Sequence, residues 1–74
     1  MKLKVSKKKV LLGNIKPGSL FMSTNGTMGL KSEYRTEAGA IEAYIVGSGE
    51  MFWGGTSDPK DQPFVEVHKV KLKK

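Results

Sequence analysis

The chain reads as an all-β protein, a small antiparallel barrel of about five or six short strands, SH3-like or OB-like in size. Three observations predict this. Apolar and polar residues alternate at period two in segments near both ends and in the middle. Turn formers, including Lys16-Pro17-Gly18, Asn25-Gly26 and Gly47-Ser48-Gly49, fall between those segments. No stretch carries a helical apolar repeat of useful length, and there is no internal repeat or heptad pattern.

Taken in order, Lys2-Leu3-Lys4-Val5 and Lys69-Val70-Lys71-Leu72-Lys73 each put lysines on one face and apolar residues on the other. They are expected partners, at the two ends of a sheet or at the seam of a barrel. Lys7-Lys8-Lys9 reads as a charged connection. Val10-Leu11-Leu12 reads as a short buried stretch ended by Gly13-Asn14. Lys16-Pro17-Gly18 fits a β-turn with Pro second and Gly third. Residues 19–23 and 27–34 flank Asn25-Gly26, the hairpin signal of a type I′ turn. Leu20 and Met22 share a face of the first strand; Met28, Leu30 and Tyr34 share a face of the second. Gly29 marks a bend or a close approach.

Residues 35–39 form the next turn. The strand at 40–46 points Ile41, Ala43 and Ile45 one way and Glu42 and Tyr44 the other. Gly47-Ser48-Gly49 turns the chain into a strand at 50–53, and 54–63 is a polar loop carrying two prolines, Pro59 and Pro63. The final strand spans 64–72. In it Val65 and Val67 lie on one face, Val70 and Leu72 on the other. A β-bulge near His68-Lys69, or a strand that crosses between sheets, would return all of them to one interior.

With 74 residues the chain forms one domain, residues 1–74, whose limited core favours a homo-oligomer. It has no cysteine and a single histidine, His68, so neither disulfides nor a Cys/His metal cluster can brace it, and no cofactor is expected. The formal charge of +6 is unevenly spread. Lys2, Lys4, Lys7, Lys8 and Lys9 at one end and Lys69, Lys71, Lys73 and Lys74 at the other have no acids among them, whereas the body is mildly acidic. Such ends attract nucleic acid; they equally keep edge strands soluble. No apolar stretch matches a signal peptide or a membrane span, so a cytoplasmic location without membrane contact is expected.

Catalysis has little support. Ser48, His68 and Glu50 make a triad only on paper, because nothing in the sequence positions them. Gly47-Ser48-Gly49 lacks the continuation of a dinucleotide fingerprint or a P-loop. Binding has more. The run 47–57 holds the single tryptophan between glycine pairs. Phe52 and Trp53 are consecutive, so on a strand one faces in and the other out. The face shared with Met51 is the more apolar, which points Trp53 inward unless Gly54-Gly55 turn it out to stack on a ligand. The amides of Gly54, Gly55, Thr56 and Ser57 are candidates for an anion-binding nest. Alternatively, this is an ordinary loop. Lys31, Tyr34 and Arg35 form a second aromatic and cationic group, alternatively an amphipathic strand end.

The stretches Ile15-Lys16-Pro17-Gly18-Ser19-Leu20-Phe21, Gly26-Thr27-Met28-Gly29-Leu30-Lys31-Ser32-Glu33-Tyr34 and Ala43-Tyr44-Ile45-Val46-Gly47-Ser48-Gly49-Glu50-Met51-Phe52-Trp53-Gly54-Gly55 resemble small uncharacterised bacteriophage-encoded proteins across about residues 15–70. A narrower similarity is to viral sponge proteins that oppose cyclic-oligonucleotide immune signalling. That resemblance implies a non-catalytic oligomer in the host cytoplasm that sequesters a small anionic nucleotide such as a cyclic dinucleotide. It carries over no site residue. The leading expectation is therefore immune evasion by nucleotide binding, with Lys31, Tyr34, Arg35, Trp53, Gly54, Gly55, Thr56 and Ser57 as the site. The alternatives are a non-specific single-stranded nucleic-acid-binding module using the terminal lysines, and an inhibitor that docks on a host protein.

Overall fold

The computed structural model describes the backbone of residues 2–73 and the side chains of residues 4–71, so the faces expected for Lys2, Leu3, Leu72 and Lys73, and the charge expected to act at Lys74, lie outside the described residues. Five antiparallel strands form one sheet: β1 (Lys2–Leu11), β2 (Leu20–Ser23), β3 (Met28–Arg35), β4 (Ile41–Ile45) and β5 (Glu66–Lys73). Their order is β1-β5-β2-β3-β4. Short 3-10 turns, Leu12–Asn14 and Gln62–Phe64, follow β1 and precede β5. The all-β class is as expected, and the two lysine-rich ends do pair with each other.

The sheet is not closed into a barrel, and the reason lies at β4. Closure would need β1 to pair with the outer edge of β4. The returning chain takes that edge instead. Ile45 N–H donates to Glu50 O at 2.7 Å, and Phe52 N–H donates to Ala43 O at 2.7 Å. Ile41 N–H donates to the side-chain Oε1 of Gln62 at 2.8 Å. The strand expected at 50–53 is thereby reduced to a single bridge, Tyr44 to Met51.

Two hairpins share one device. In the β2–β3 turn, Ser23 N–H bonds Thr27 O, Gly26 N–H returns to Ser23 O, and Thr27 N–H bonds the Ser23 hydroxyl. In the β3–β4 turn, Thr36, Gly39 and Ala40 make the same three bonds. Gly26 (φ 93°) and Gly39 (φ 96°) take the left-handed position that closes each loop. Among the described residues none other than glycine has positive φ, so Asn25 is not left-handed and the turn is not type I′. It is the longer loop in which a hydroxyl residue is followed three positions later by glycine. Lys16-Pro17-Gly18 turns as expected, with Ser19 N–H bonded to Lys16 O at 3.1 Å.

The irregularity expected in the last strand lies in the first. Val5 pairs with Val70, and pairing resumes at Lys9 with His68, so Ser6, Lys7 and Lys8 together face Lys69. His68 Nδ1–H donates to the Ser6 carbonyl at 2.8 Å and holds this bulge. Lys7-Lys8-Lys9 is thus part of β1 rather than a connection. β5 runs without a break past β2, pairing Phe21 with Lys69, Met22 with His68 and Ser23 with Val67. Val67 consequently faces the core, while Val70 lies on the opposite face with its partner Val5. Phe64 falls in the 3-10 turn and is 66% exposed, and β5 begins only at Glu66.

One face of the sheet carries the core: Phe21, Ile41, Ala43 and Val67, covered by Leu12 and Ile15 from the first connection and Phe52 from the last. The other face presents the cross-strand pairs Leu20–Leu30 and Met22–Met28 with Tyr44; Leu30 is 42% exposed. The Phe21 ring meets Phe52 edge-on, with centroids 4.9 Å apart and planes at 71°. It lies across Gly29, its cross-strand partner, and a Cβ at that position would overlap the ring. Gly29→Ala is therefore expected to displace the aromatic pair and cost about 1–3 kcal/mol. Thermal denaturation should show a fall of about 4–8 °C per kcal/mol for a domain of this size; an unchanged midpoint would contradict this packing.

Candidate functional site

The residues expected to form one site fall in two places. Trp53, Gly54 and Gly55 line a cleft of about 340 Å³ beside the β2–β3 turn, together with Ser23, Thr24 and Glu66. Lys31, Tyr34 and Arg35 line a smaller recess of about 160 Å³ with Pro17 and Ile41. No residue is common to the two linings, and Thr56 and Ser57 belong to neither.

The orientation of the aromatic pair is the reverse of the sequence expectation. Phe52 is the core residue and Trp53 is only half-buried. The Phe52 N–H and C=O are both engaged, with Ala43 O and with Gln62 Nε2, and that anchoring turns its ring onto Phe21. Trp53 is therefore left at the cleft. Gly54 has φ 73°, and a Cβ on it would stand 2.5 Å from Val65 Cγ1, so this glycine is required by packing as well as by backbone. Downstream, Thr56 Oγ1 accepts the Asp58 amide, and Asp58 Oδ1 accepts the Lys60 amide. The segment expected to cradle an anion thus has a carboxylate organising its far end.

In the second group Lys31 is committed to the fold. Its ammonium donates to Gly13 O at 3.0 Å and to Ile15 O, tying the first connection down onto β3. Burial lowers its pKa, and the charge of Arg35 adds to that shift. Arg35 Nη1 donates to Gly39 O at 3.0 Å, and Tyr34 is 66% exposed. Tyr34 and Arg35 are thus available to a ligand, while Lys31 supplies charge from beneath.

A third feature is the basic end of the sheet, whose arrangement in space the sequence does not reveal. Lys4 stands opposite Lys71, and Lys2 opposite Lys73 in the backbone register. Two clefts open here and share Lys69 and Lys71: one of about 280 Å³ with Lys4 and Ser6, the other of about 290 Å³ with Lys16, Ser19 and Asn14. Among the described residues no carboxylate lines either. Lys16 borders the second cleft and its neighbour Pro17 borders the Tyr34 recess, so basic clefts and exposed aromatic adjoin. Like charges placed directly opposite each other cost stability. An anionic chain laid between them reverses the sign of that term.

His68 is occupied with Ser6 O and Ser48 Oγ with the Glu50 amide, so the paper triad is not assembled. Among the described residues no group of three His, Asp or Glu side chains is arranged to hold a metal ion. Nor is any described helix long and apolar enough to cross a membrane. Compared with protein-family models, curated proteins and solved structures, the chain has no match.

The two roles of Lys31 can be separated by experiment. Lys31→Met leaves two carbonyls without their donor and should cost about 1–3 kcal/mol. The folded pKa lies below the unfolded 10.5, so between the two values the unfolded chain binds more protons and stability rises with pH. Urea unfolding across the alkaline range should show wild type gaining on Lys31→Met as pH approaches 10.5; a constant difference would contradict the burial of this charge.

Proposed function

We propose that this protein is a non-catalytic module that binds single-stranded nucleic acid. The observation that carries this reading is the lysine ladder across β1 and β5, bordered by two clefts that no carboxylate lines among the described residues. Phosphates of one strand would run past Lys4, Lys71, Lys69 and Lys16, and a base would stack on Tyr34 beside Arg35. Aromatic stacking with a basic track is how sequence-tolerant single-strand binders work. All these cations except Arg35 are lysines, which suits flexible phosphate tracking better than bidentate recognition.

Fluorescence anisotropy with a labelled oligo-dT tests it. The logarithm of the binding constant should fall linearly with the logarithm of salt, at about 0.7 per phosphate contacted. Changing Lys4, Lys16, Lys69 and Lys71 together to Gln should lower that slope by about 2–3. Tyr34→Ala should weaken binding roughly fivefold or more and leave the slope alone. A slope unchanged in the lysine variant would overturn the reading.

Sequestration of a small anionic nucleotide, such as a cyclic dinucleotide withheld from host immune signalling, is the second reading. What favours it is the pairing of exposed Tyr34 with Arg35 in one recess. It calls for saturable binding of cyclic dinucleotide that displaces oligo-dT and depends weakly on salt. Self-association belongs to both readings, since the outer sheet face leaves Leu30 and Tyr44 exposed. A dimer or larger species is expected in native mass spectrometry.

A further inference from the structure

We infer that the Trp53 cleft is a second, independent site, for an uncharged pyranose sugar. The cleft holds about 340 Å³. The β2–β3 turn contributes Ser23, Thr24, Asn25 and Thr27 to its lining, all hydroxyl or amide side chains without charge. They are preset: Ser23 Oγ bonds Asn25 Oδ1, and Thr27 N–H donates to both oxygens, at 3.1 Å each. These bonds use the Asn25 oxygen, and among the described residues no hydrogen bond uses its NH2. The half-buried Trp53 belongs to the same lining. Among the described residues no hydrogen bond uses its indole N–H, and no buried side-chain nitrogen or oxygen lacks a partner, so that N–H meets solvent.

The charge of the lining selects the ligand. Among the described residues Glu66 is the one ionisable side chain of the lining, and it is a carboxylate. A phosphate or a sugar acid would be repelled with no cation to compensate. A pyranose presents an apolar C–H face to an aromatic ring and a rim of hydroxyls to neutral donors and acceptors, which is the chemistry this cleft offers. The glycines fit the same picture. Gly54 brings the chain against Val65, and a Cβ on Gly55 would meet nothing within 4 Å, which leaves the mouth open. The site is separate from the basic clefts: it takes Glu66 at the start of β5, whereas they take Lys69 and Lys71 further along it. It stands or falls independently of nucleic-acid binding.

Trp53 is the single tryptophan, so its fluorescence reports on this cleft alone. The full-length protein is titrated with glucose, galactose, mannose, N-acetylglucosamine and their β-linked disaccharides, at about 50 and 200 mM salt. A saturable change with at least one of them, equal at both salt concentrations, is the expected result. Ligand-observed NMR then compares variants. Trp53→Ala should weaken binding about tenfold or more. Glu66→Gln, at an exposed position that leaves the fold intact, should weaken it severalfold while oligo-dT binding is retained. No saturable response to any of these sugars would overturn the inference. So would Trp53-dependent binding of adenosine or of a nucleoside monophosphate in preference to every sugar tested.

Discussion

The side-chain amide of Gln62 is the contact on which the rest of the structure depends. It is fully buried. Its Oε1 accepts the Ile41 N–H at 2.8 Å, and its Nε2 donates to Ile41 O at 2.9 Å and Phe52 O at 3.1 Å. A strand neighbour would make the first two of these bonds, so one side chain serves as the missing strand at the start of β4. Burying an unpaired amide costs several kcal/mol. Here both amide hydrogens and the oxygen are used, which removes that cost. The amide is aimed by the turn that carries it, since Asp58 O accepts the N–H groups of both Asp61 and Gln62. From this follow the core position of Phe52, its edge-on contact with Phe21, and the exposure of Trp53 at the cleft.

That constraint also explains how a short chain keeps two kinds of surface apart. The segment from residue 46 to 65 folds over one sheet face and one edge, and carries Glu50, Asp58 and Asp61 with it. The β1 and β5 ends reach beyond β2, which on β5 pairs with Lys69, His68 and Val67, and among the described residues none of those acids lines the clefts beside the lysine ladder. In water the repulsion along such a ladder is modest, about 1 kcal/mol for a pair 4 Å apart. It is tolerable in the free protein and becomes an attraction when a polyanion arrives. At the other end of β5 the lining is neutral or acidic, and the same polyanion finds nothing there.

Much of the fold was legible in local signals. The alternation at Ile41, Ala43 and Ile45 assigns the core face of β4 directly, and alternating lysines at both ends identify β1 and β5 as partners. Pro17-Gly18 and Asn25-Gly26 mark turns wherever the rest of the chain goes. What was not legible depends on distant partners. The parity of Phe52 and Trp53 cannot be resolved without knowing that Ala43 and Gln62 hold Phe52. Likewise, the shift in apolar parity along β5 points to a bulge there, while the extra residues sit in β1, where His68 holds Ser6. A glutamine between Asp61 and Pro63 carries no signal of burial. Closing a barrel would remove open edges, and at β4 the returning backbone and the Gln62 side chain cover the edge instead. The candidate site divided for the same reason: Lys31, Tyr34 and Arg35 lie on β3, whereas Trp53 to Ser57 lie in the segment after β4, and the grouping of Lys4, Lys16, Lys69 and Lys71 depends on strand pairing and packing.

Hydrogen exchange at the Ile41 amide tests the role of Gln62 most directly. This amide points away from β3, and the Gln62 oxygen is its acceptor. In the wild-type protein it should exchange as slowly as the Phe52 amide, which is bonded to Ala43 within the same edge. In Gln62→Met, which keeps the volume and loses the hydrogen bonds, it should exchange at the rate of an open strand edge. An Ile41 amide that exchanges like the exposed turn amides in wild type, or that stays protected in Gln62→Met, would contradict the account.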